Sequence, residues 1–229
     1  ALAALWLRRG LHETESFAKQ AAPERSPLRK LLREHPQQVA TVIGLTLGGT
    51  LAFYTCTTYM QKFLVNTSGF SKDDATLISA AALFIYMLLQ PAFGALSDRI
   101  GRKPLLIFFG VAGAIGTVPM LTVLATVRDP YAAFALMLAG LVVISGYTAV
   151  NAVVKAELFP VGVRALGVGL PYALTVSLFG GTAEYLALWF KNRGVESGFY
   201  WYVSAMIGVS LLVYLQLPET RDVSRIDRD

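Results

Sequence analysis

Long apolar stretches separated by short polar connections run through most of this sequence. A bilayer core about 30 Å thick is crossed by roughly 20 apolar residues in a helix. Six stretches meet this requirement, and we number them span one to span six: residues 39–64, 75–96, 104–127, 131–154, 166–190 and 199–217. The connections are too short to hold a soluble domain. The pattern therefore predicts an all-α transmembrane bundle of six helices.

The composition also indicates a membrane protein and argues against several other classes. Of the 229 residues, 55% are hydrophobic and 15% are charged, whereas a soluble domain usually carries about 25% charged residues. The bases behind the formal charge of +5 are not gathered on an amphipathic helix, so nucleic acid is not an expected partner. His12 and His35 lack the spacing of a metal site. No metal or other cofactor is predicted, and no catalytic triad or phosphate-binding loop indicates an enzyme.

The distribution of lysine and arginine predicts the orientation in the membrane. Fifteen of these residues lie on the side shared by residues 1–38, the loop after span two, residues 155–165 and the C-terminal tail. Five lie on the opposite side. Because cytoplasmic loops carry the excess of positive charge, we expect the C-terminus and the loop after span two to face the cytoplasm.

A short repeat indicates how the chain is organised. LHET at residues 11–14 follows an apolar segment, and LPET at residues 217–220 follows span six. Parallel repeats in transporters place equivalent helix ends on the same side of the membrane. We therefore predict four segments: the tail of a preceding helix at 1–14, a cytoplasmic connector between two bundles at 15–38, a six-helix bundle at 39–217 and a cytoplasmic tail at 218–229. The connector is expected to be partly amphipathic around Leu28 to Leu32.

Gly44 and Gly48 lie at GxxxG spacing near the start of span one. This spacing lets the backbones of two membrane helices approach closely. We expect span one to pack tightly against another span.

The loop GALSDRIGRKP, residues 94–104, places one acid and three bases between two apolar spans. Gly94 allows close helix approach, Gly101 permits a tight turn, and Pro104 suits the first position of span three. The next loop on the same side, KAELFPVGVRALG at residues 155–167, offers Glu157 and Arg164 to this set.

Opposite charges in these two loops are able to pair as a cytoplasmic latch. The expected pairs are Asp98 with Arg164, and Glu157 with Arg99 or Arg102. The alternative is that the bases only enforce topology while the acids are solvated. The predicted charge network comprises Gly94, Asp98, Arg99, Gly101, Arg102, Lys103, Glu157 and Arg164.

Three motifs in order resemble one known superfamily. GALSDRIGRKP resembles the loop signature of the major facilitator superfamily. AELFPVGVRALGVG, residues 156–169, is similar to the segment after helix ten in its sugar-porter and metabolite–proton symporter branches, and LPETR resembles the end of helix twelve there. The resemblance covers the whole chain. It implies that the spans are helices 7–12 of a twelve-helix fold, with a six-helix N-terminal half as partner.

Longer segments, including FYTCTTYMQKFLVNTSG at residues 53–69, look like the α-ketoglutarate permease group of the metabolite–proton symporters. That resemblance implies proton-coupled uptake of a dicarboxylate by alternating access across a bacterial inner membrane. Relatives with similar cytoplasmic motifs carry shikimate, citrate, proline or betaine, which remain alternative cargoes. A non-transporting sensor on the same fold is a further alternative.

The resemblance also implies a cavity between the two halves, so polar residues on one face of a span are candidate substrate contacts. Span one carries such a face at i, i+3, i+4 and i+7, followed by a lysine. The candidates are Tyr54, Thr57, Thr58, Gln61 and Lys62, with Tyr147 and Asn151 sharing a face of span four. Hydroxyl and amide donors suit the oxygens of an organic anion. The alternative is hydrogen bonding between helices.

Glu184 is the one carboxylate well inside a span. A charged group costs roughly 2.5–3.5 kcal/mol at a helix centre, so a role or a partner is expected. Three roles are open: handling protons, facing the cavity, or pairing with Lys62 or Tyr185. Proton coupling is assigned to Glu184 because a protonated carboxyl does not repel an anionic substrate.

Overall fold

The computed structural model describes residues 27–220, and that part of the chain contains helices and no strand. Six helices are long and apolar enough to cross a membrane. From span one to span six they are Pro36–Asn66, Lys72–Ile100, Arg102–Thr126, Pro130–Glu157, Val161–Asn192 and Ser197–Gln216. The predicted all-α fold with six membrane-length helices is confirmed. A shorter helix, Pro27–Glu34, precedes span one and is called the leading helix below.

Three spans are interrupted, which hydropathy alone does not reveal. Spans one and five each contain a five-residue π-helical turn, and span four has a break before its last two turns. The resulting segments are Pro36–Tyr54, Thr55–Tyr59 and Met60–Asn66 in span one, Pro130–Thr148 and Asn151–Glu157 in span four, and Val161–Thr175, Val176–Gly180 and Ala183–Asn192 in span five. Such π turns occur frequently at functional sites.

Local sequence sets the helix ends. The Ser71 hydroxyl accepts a hydrogen bond from the Asp74 amide at the start of span two, and Asp129 does the same for Ala132 in span four. Short polar side chains at this position satisfy otherwise unpaired helix donors. Gly101 separates spans two and three with φ of 99°, a left-handed conformation that favours glycine. The predicted tight turn at Gly101 is confirmed.

Span one packs against span six at the predicted glycine spacing. A Cβ on Gly48 would stand 2.5 Å from the Met206 carbonyl oxygen, so only glycine permits this approach. The Ser210 hydroxyl accepts from the Gly48 amide at 2.8 Å and donates to the Gly44 carbonyl at 2.6 Å. Close packing of span one is confirmed, and span six is its partner.

The bundle has two ends, which we name by residues. The Arg102 end holds the connection between spans two and three, and the Glu196 end holds the connection between spans five and six. At the Arg102 end the leading helix buries Leu31 against Phe159 and Val163. Leu28 and Leu32 remain exposed. The predicted assignments of residues 1–14, of the first half of the connector (15–26) and of the tail beyond Thr220 lie outside the described residues.

Candidate functional site

A cavity of about 250 Å³ lies between spans one, four and five. It is lined by Thr50, Phe53, Tyr54, Tyr147, Thr148, Asn151 and Tyr172. Three predicted site residues, Tyr54, Tyr147 and Asn151, meet here. Tyr172, from span five, also lines the cavity, although it is not among the predicted site residues. No carboxylate is among the lining residues, so the cavity offers neutral hydrogen-bonding groups and aromatic faces.

The break in span four shapes this cavity. The helix stops at Thr148 and restarts at Asn151. The Asn151 amide donates to the Thr148 carbonyl at 2.9 Å, which satisfies an acceptor freed by the break. The ring of Tyr147 packs where a Cβ on Gly49 would otherwise stand. A small residue in span one is therefore required for Tyr147 to reach the cavity wall.

Lys155 is a buried residue beside the cavity that the sequence analysis does not single out. Its position in a polar connection makes it one of the bases counted for orientation, yet the structure buries it with 1% exposure. Its Nζ donates to Asn151 Oδ1 at 2.9 Å and lies 4.1 Å from the Tyr172 ring centroid. The Tyr147 ring centroid is 5.9 Å away. The four-residue spacing of Tyr147, Asn151 and Lys155 places them on one helical face, and that spacing was the available signal.

The remaining candidates on span one do not line this cavity. The Thr57 hydroxyl donates to the Phe53 carbonyl at 2.7 Å, and the Gln61 amide donates to the Thr76 hydroxyl at 2.7 Å. Thr58 is exposed. Two physical reasons apply: seven residues of helix span about 10 Å, and the π turn at Thr55–Tyr59 changes the face on which the following residues lie. The predicted polar face of span one is therefore not a single binding surface, because its residues contact different parts of the molecule.

Lys62 and Glu184 form an ion pair between spans one and five. Of the three roles left open for Glu184, the structure shows pairing with Lys62. Both side chains keep partial exposure, 53% for Lys62 and 32% for Glu184. The pair is therefore accessible to solvent or to a neighbouring bundle. A protonation change at Glu184 would remove the attraction between the two side chains.

A second set of contacts ties the same two spans near the Glu196 end. Lys191 Nζ donates to the Asn66 carbonyl at 2.8 Å and to the Thr67 hydroxyl at 2.5 Å. The Thr67 hydroxyl donates to Glu196 Oε1 at 2.6 Å. Spans one and five are thus linked at two levels on this side.

At the Arg102 end, the C-terminal LPET motif closes onto the charged loop. The Glu219 carboxylate accepts from the backbone amides of Arg102 at 2.8 Å and Lys103 at 3.0 Å. An acid at a helix N-terminus is stabilised by the helix dipole and by the free amides. Lys103 Nζ donates to the Leu215 carbonyl at 3.0 Å. A side chain at Gly101 would occupy the position of Glu219.

The predicted pairs between the two charged loops are not among the ion pairs formed within residues 27–220. Asp98 Oδ1 instead accepts from Arg102 Nη1 at 2.8 Å, within one loop. Arg164 Nε donates to the Phe159 carbonyl at 3.0 Å. The physical reason is local: Arg102 lies four residues after Asp98, and the turn at Gly101 keeps the two close.

Two further members of the predicted network have fewer contacts than expected. Glu157 is 6% exposed, and its Oε2 has no hydrogen-bond partner in the described part of the chain. No described atom lies within 4 Å of the place where a Cβ on Gly94 would stand. The close helix approach expected at Gly94 is therefore not made between the described helices. Nor do residues 27–220 contain three or more His, Cys, Asp or Glu side chains arranged to hold a metal ion.

Six membrane-length helices, three of which line a polar cavity, are the architecture of a multi-pass membrane protein, and the family match makes it a transporter of the major facilitator type. Residues 9–227 match the profile of the family described as sugar (and other) transporter. The chain belongs to this family. No solved structure gives a significant match.

Individual relatives indicate where within the family the chain lies. It is 50% identical over 217 residues to the alpha-ketoglutarate permease of Escherichia coli K12, covering 95% of this chain and 50% of the permease. It is 28% identical over 233 residues to a proline/betaine transporter of Salmonella typhimurium, covering 94% and 45%. It is 27% identical over 218 residues to a citrate-proton symporter of Klebsiella pneumoniae, covering 91% and 48%. The chain spans about half the length of these relatives.

Proposed function

We propose that this chain supplies helices 7–12 of a secondary transporter that carries a dicarboxylate such as α-ketoglutarate together with protons by alternating access. The observation that carries the proposal is the 50% identity to an alpha-ketoglutarate permease. The relatives named for proline, betaine and citrate reach only 27–29%. The partner is an N-terminal bundle of six helices, and the location is the bacterial inner membrane with the Arg102 end in the cytoplasm.

The cavity chemistry supports an organic anion as cargo. Hydroxyl groups of Tyr54 and Tyr147 and the amide of Asn151 are donors without negative charge. An anion that leaves water needs such donors because unpaired polar groups are costly in a low-dielectric site. Thr58, Gln61 and Lys62 are exposed further along span one towards the Glu196 end, where a partner bundle would cover them.

Proton coupling is proposed to act through Glu184. When Glu184 is ionised, it holds Lys62 and joins spans one and five. When Glu184 is protonated, the attraction is lost, and Lys62 becomes available to an anion. A bound proton then favours the conformation in which the pair is open, and only this difference in affinity between two states shifts their populations.

The charge network at the Arg102 end is proposed to act as the latch between conformations. Asp98, Arg99, Glu157 and Arg164 would stabilise the outward-open state, with Gly94, Gly101, Arg102 and Lys103 shaping the loop. Glu157 Oε2 has no partner within residues 27–220. A partner from the N-terminal bundle, or a base of the same loops in the other state, would satisfy this carboxylate.

The test is proton-driven uptake of labelled 2-oxoglutarate by the full-length protein in proteoliposomes. We expect accumulation that an uncoupler abolishes, and competition by unlabelled 2-oxoglutarate in excess of that by citrate, shikimate, proline or betaine. Competition by one of the other solutes without competition by 2-oxoglutarate would reassign the cargo. Ligand binding with no accumulation under any gradient would favour a sensor.

A further inference from the structure

The ammonium of Lys155 is buried beside the cavity and has no acidic partner among the described residues. The side chain is 1% exposed, and no ion pair within residues 27–220 includes it. Two lysines towards the Glu196 end, by contrast, have carboxylates: Lys62 pairs with Glu184, and Lys191 lies 3.6 Å from Glu196. A buried cation without a counter-charge is expensive and usually marks a function.

The groups around Lys155 Nζ lower this cost without neutralising the charge. Asn151 Oδ1 accepts at 2.9 Å, and the faces of Tyr172 and Tyr147 lie 4.1 Å and 5.9 Å away. Aromatic faces and amide oxygens attract a cation moderately. The next acid along the helix, Glu157, is two residues away, and residues at that spacing do not face each other. The site therefore holds a basic group without an acid beside it in residues 27–220, and an entering anion would stabilise the charged form of that group.

The cavity gives an anion a route to this ammonium. Asn151, Tyr147 and Tyr172 all line the cavity and all contact or flank Lys155 Nζ. Long helical side chains point towards the N-terminus of their helix, which brings the Lys155 ammonium back along span four towards Asn151. The neutral donors and the single cation thus belong to one site.

We propose that Lys155 binds one carboxylate of the transported anion in this cavity, with Asn151 and the hydroxyls of Tyr54 and Tyr147 as neutral contacts. This proposal rests on the proposed function, because it assumes that a carboxylate enters the cavity. On binding, the carboxylate replaces the aromatic faces and the Asn151 oxygen as the main partner of the ammonium. The second carboxylate is bound elsewhere, so the site recognises one end of a dicarboxylate.

The experiment measures the affinity of the full-length protein for 2-oxoglutarate and for its C1 and C5 monoamides. Replacing one carboxylate by an amide removes the charge and keeps the shape. In the wild type, both monoamides should bind more weakly than 2-oxoglutarate. In K155M, affinity for 2-oxoglutarate should fall about tenfold to a hundredfold, as for loss of a charged hydrogen bond. K155M should bind one of the two monoamides as tightly as it binds 2-oxoglutarate. The carboxylate that this monoamide lacks is the one that Lys155 binds.

Two further variants distinguish the loss of a ligand contact from a general effect of the substitution on the structure. K72M removes an exposed lysine at the start of span two and should leave all three affinities unchanged. Asn151→Asp is nearly isosteric and gives Lys155 a resident counter-charge. It should therefore raise the thermal unfolding temperature, or leave it unchanged, while weakening 2-oxoglutarate binding at least about tenfold, which corresponds to the loss of one charge-assisted contact.

The outcomes separate the two proposals. One outcome is that the wild type takes up 2-oxoglutarate and K155M still binds both monoamides more weakly than 2-oxoglutarate, by the same factors as the wild type. The role of Lys155 is then overturned while the transport function stands. If K155M does not fold, the Asn151→Asp variant provides the test. Binding of 2-oxoglutarate by that variant with the same affinity as the wild type overturns the role of Lys155. If the wild type neither binds nor takes up any carboxylate, the proposed function fails, and the binding role of Lys155 fails with it.

Discussion

The ion pair of Lys62 and Glu184 is the contact through which a single proton would act most directly on the arrangement of the helices. It joins two spans, both partners keep partial exposure, and one partner is a carboxyl group whose charge a proton removes. A pair fully buried among apolar side chains would open only at high cost. Partial exposure lowers that cost, so this position suits reversible opening during a transport cycle.

Glu184→Gln should uncouple transport from the proton gradient. Glutamine resembles the protonated carboxyl in shape and cannot release a proton. We expect proton-driven accumulation of 2-oxoglutarate to fall to simple equilibration across the membrane, while exchange of labelled for unlabelled substrate continues. Glu196→Gln is the control, since Glu196 contacts Thr67 near the same end and should keep accumulation. Normal accumulation by Glu184→Gln would contradict the assignment.

Asp98→Asn should leave the protein inserted in the membrane and cripple its transport. The carboxylate accepts from Arg102 Nη1 and is 70% exposed, so this pair contributes at most about 1 kcal/mol. A shift of that size in the balance between two conformations changes their ratio up to about fivefold. Uptake and membrane abundance are measured together. Asp73→Asn, an exposed acid at the start of span two, is the control, and equal uptake by both variants would argue against a latch.

At the scale of elements, the π turn Val176–Gly180 brings span five against the cavity wall. A Cβ on Gly180 would stand 2.7 Å from Thr50 Cγ2 and from Tyr54 Cδ2. Both of these residues line the cavity. The position of the π turn therefore fixes how closely spans one and five enclose the polar site. Hydropathy does not detect such a turn, because it depends on contacts between helices.

Gly180→Val should narrow the cavity and weaken substrate binding. Overpacking at a tight contact costs typically about 1–3 kcal/mol, and displacement of Tyr54 would transmit part of this cost to the site. We expect a lower affinity for 2-oxoglutarate, measured by isothermal titration calorimetry on the full-length protein. Gly169→Val is the matched control in span five, since no described atom lies within 4 Å of its added Cβ. Equal affinities in the two variants would exclude this role of Gly180.

Features that depend on neighbouring residues can be predicted from this sequence, whereas contacts between residues far apart in the chain cannot. Membrane-length helices come from the average hydropathy of some 20 residues, and the close approach at Gly48 follows from local spacing, so both are confirmed. Hydropathy ends span four at residue 154, so Lys155 is predicted to lie in the connection that follows. Its burial depends on Tyr147 and Tyr172 from two spans. The contacts of Glu219 across 117 residues likewise need the fold.

At the scale of the whole molecule, the orientation proposed from lysine and arginine can be tested by labelling single cysteines. Cys56 is buried, and Cys56→Ala, combined with replacement of any cysteine in the N-terminal bundle, provides a background in which an introduced thiol is the only target. Gln37→Cys lies at the Arg102 end and Val195→Cys at the Glu196 end, both at exposed positions. A membrane-impermeant maleimide added to intact cells should label Val195→Cys and leave Gln37→Cys unlabelled until the membrane is permeabilised. Because positive charge favours the cytoplasmic side, the reverse pattern would invert the proposed topology, and the latch at the Arg102 end would then face the periplasm.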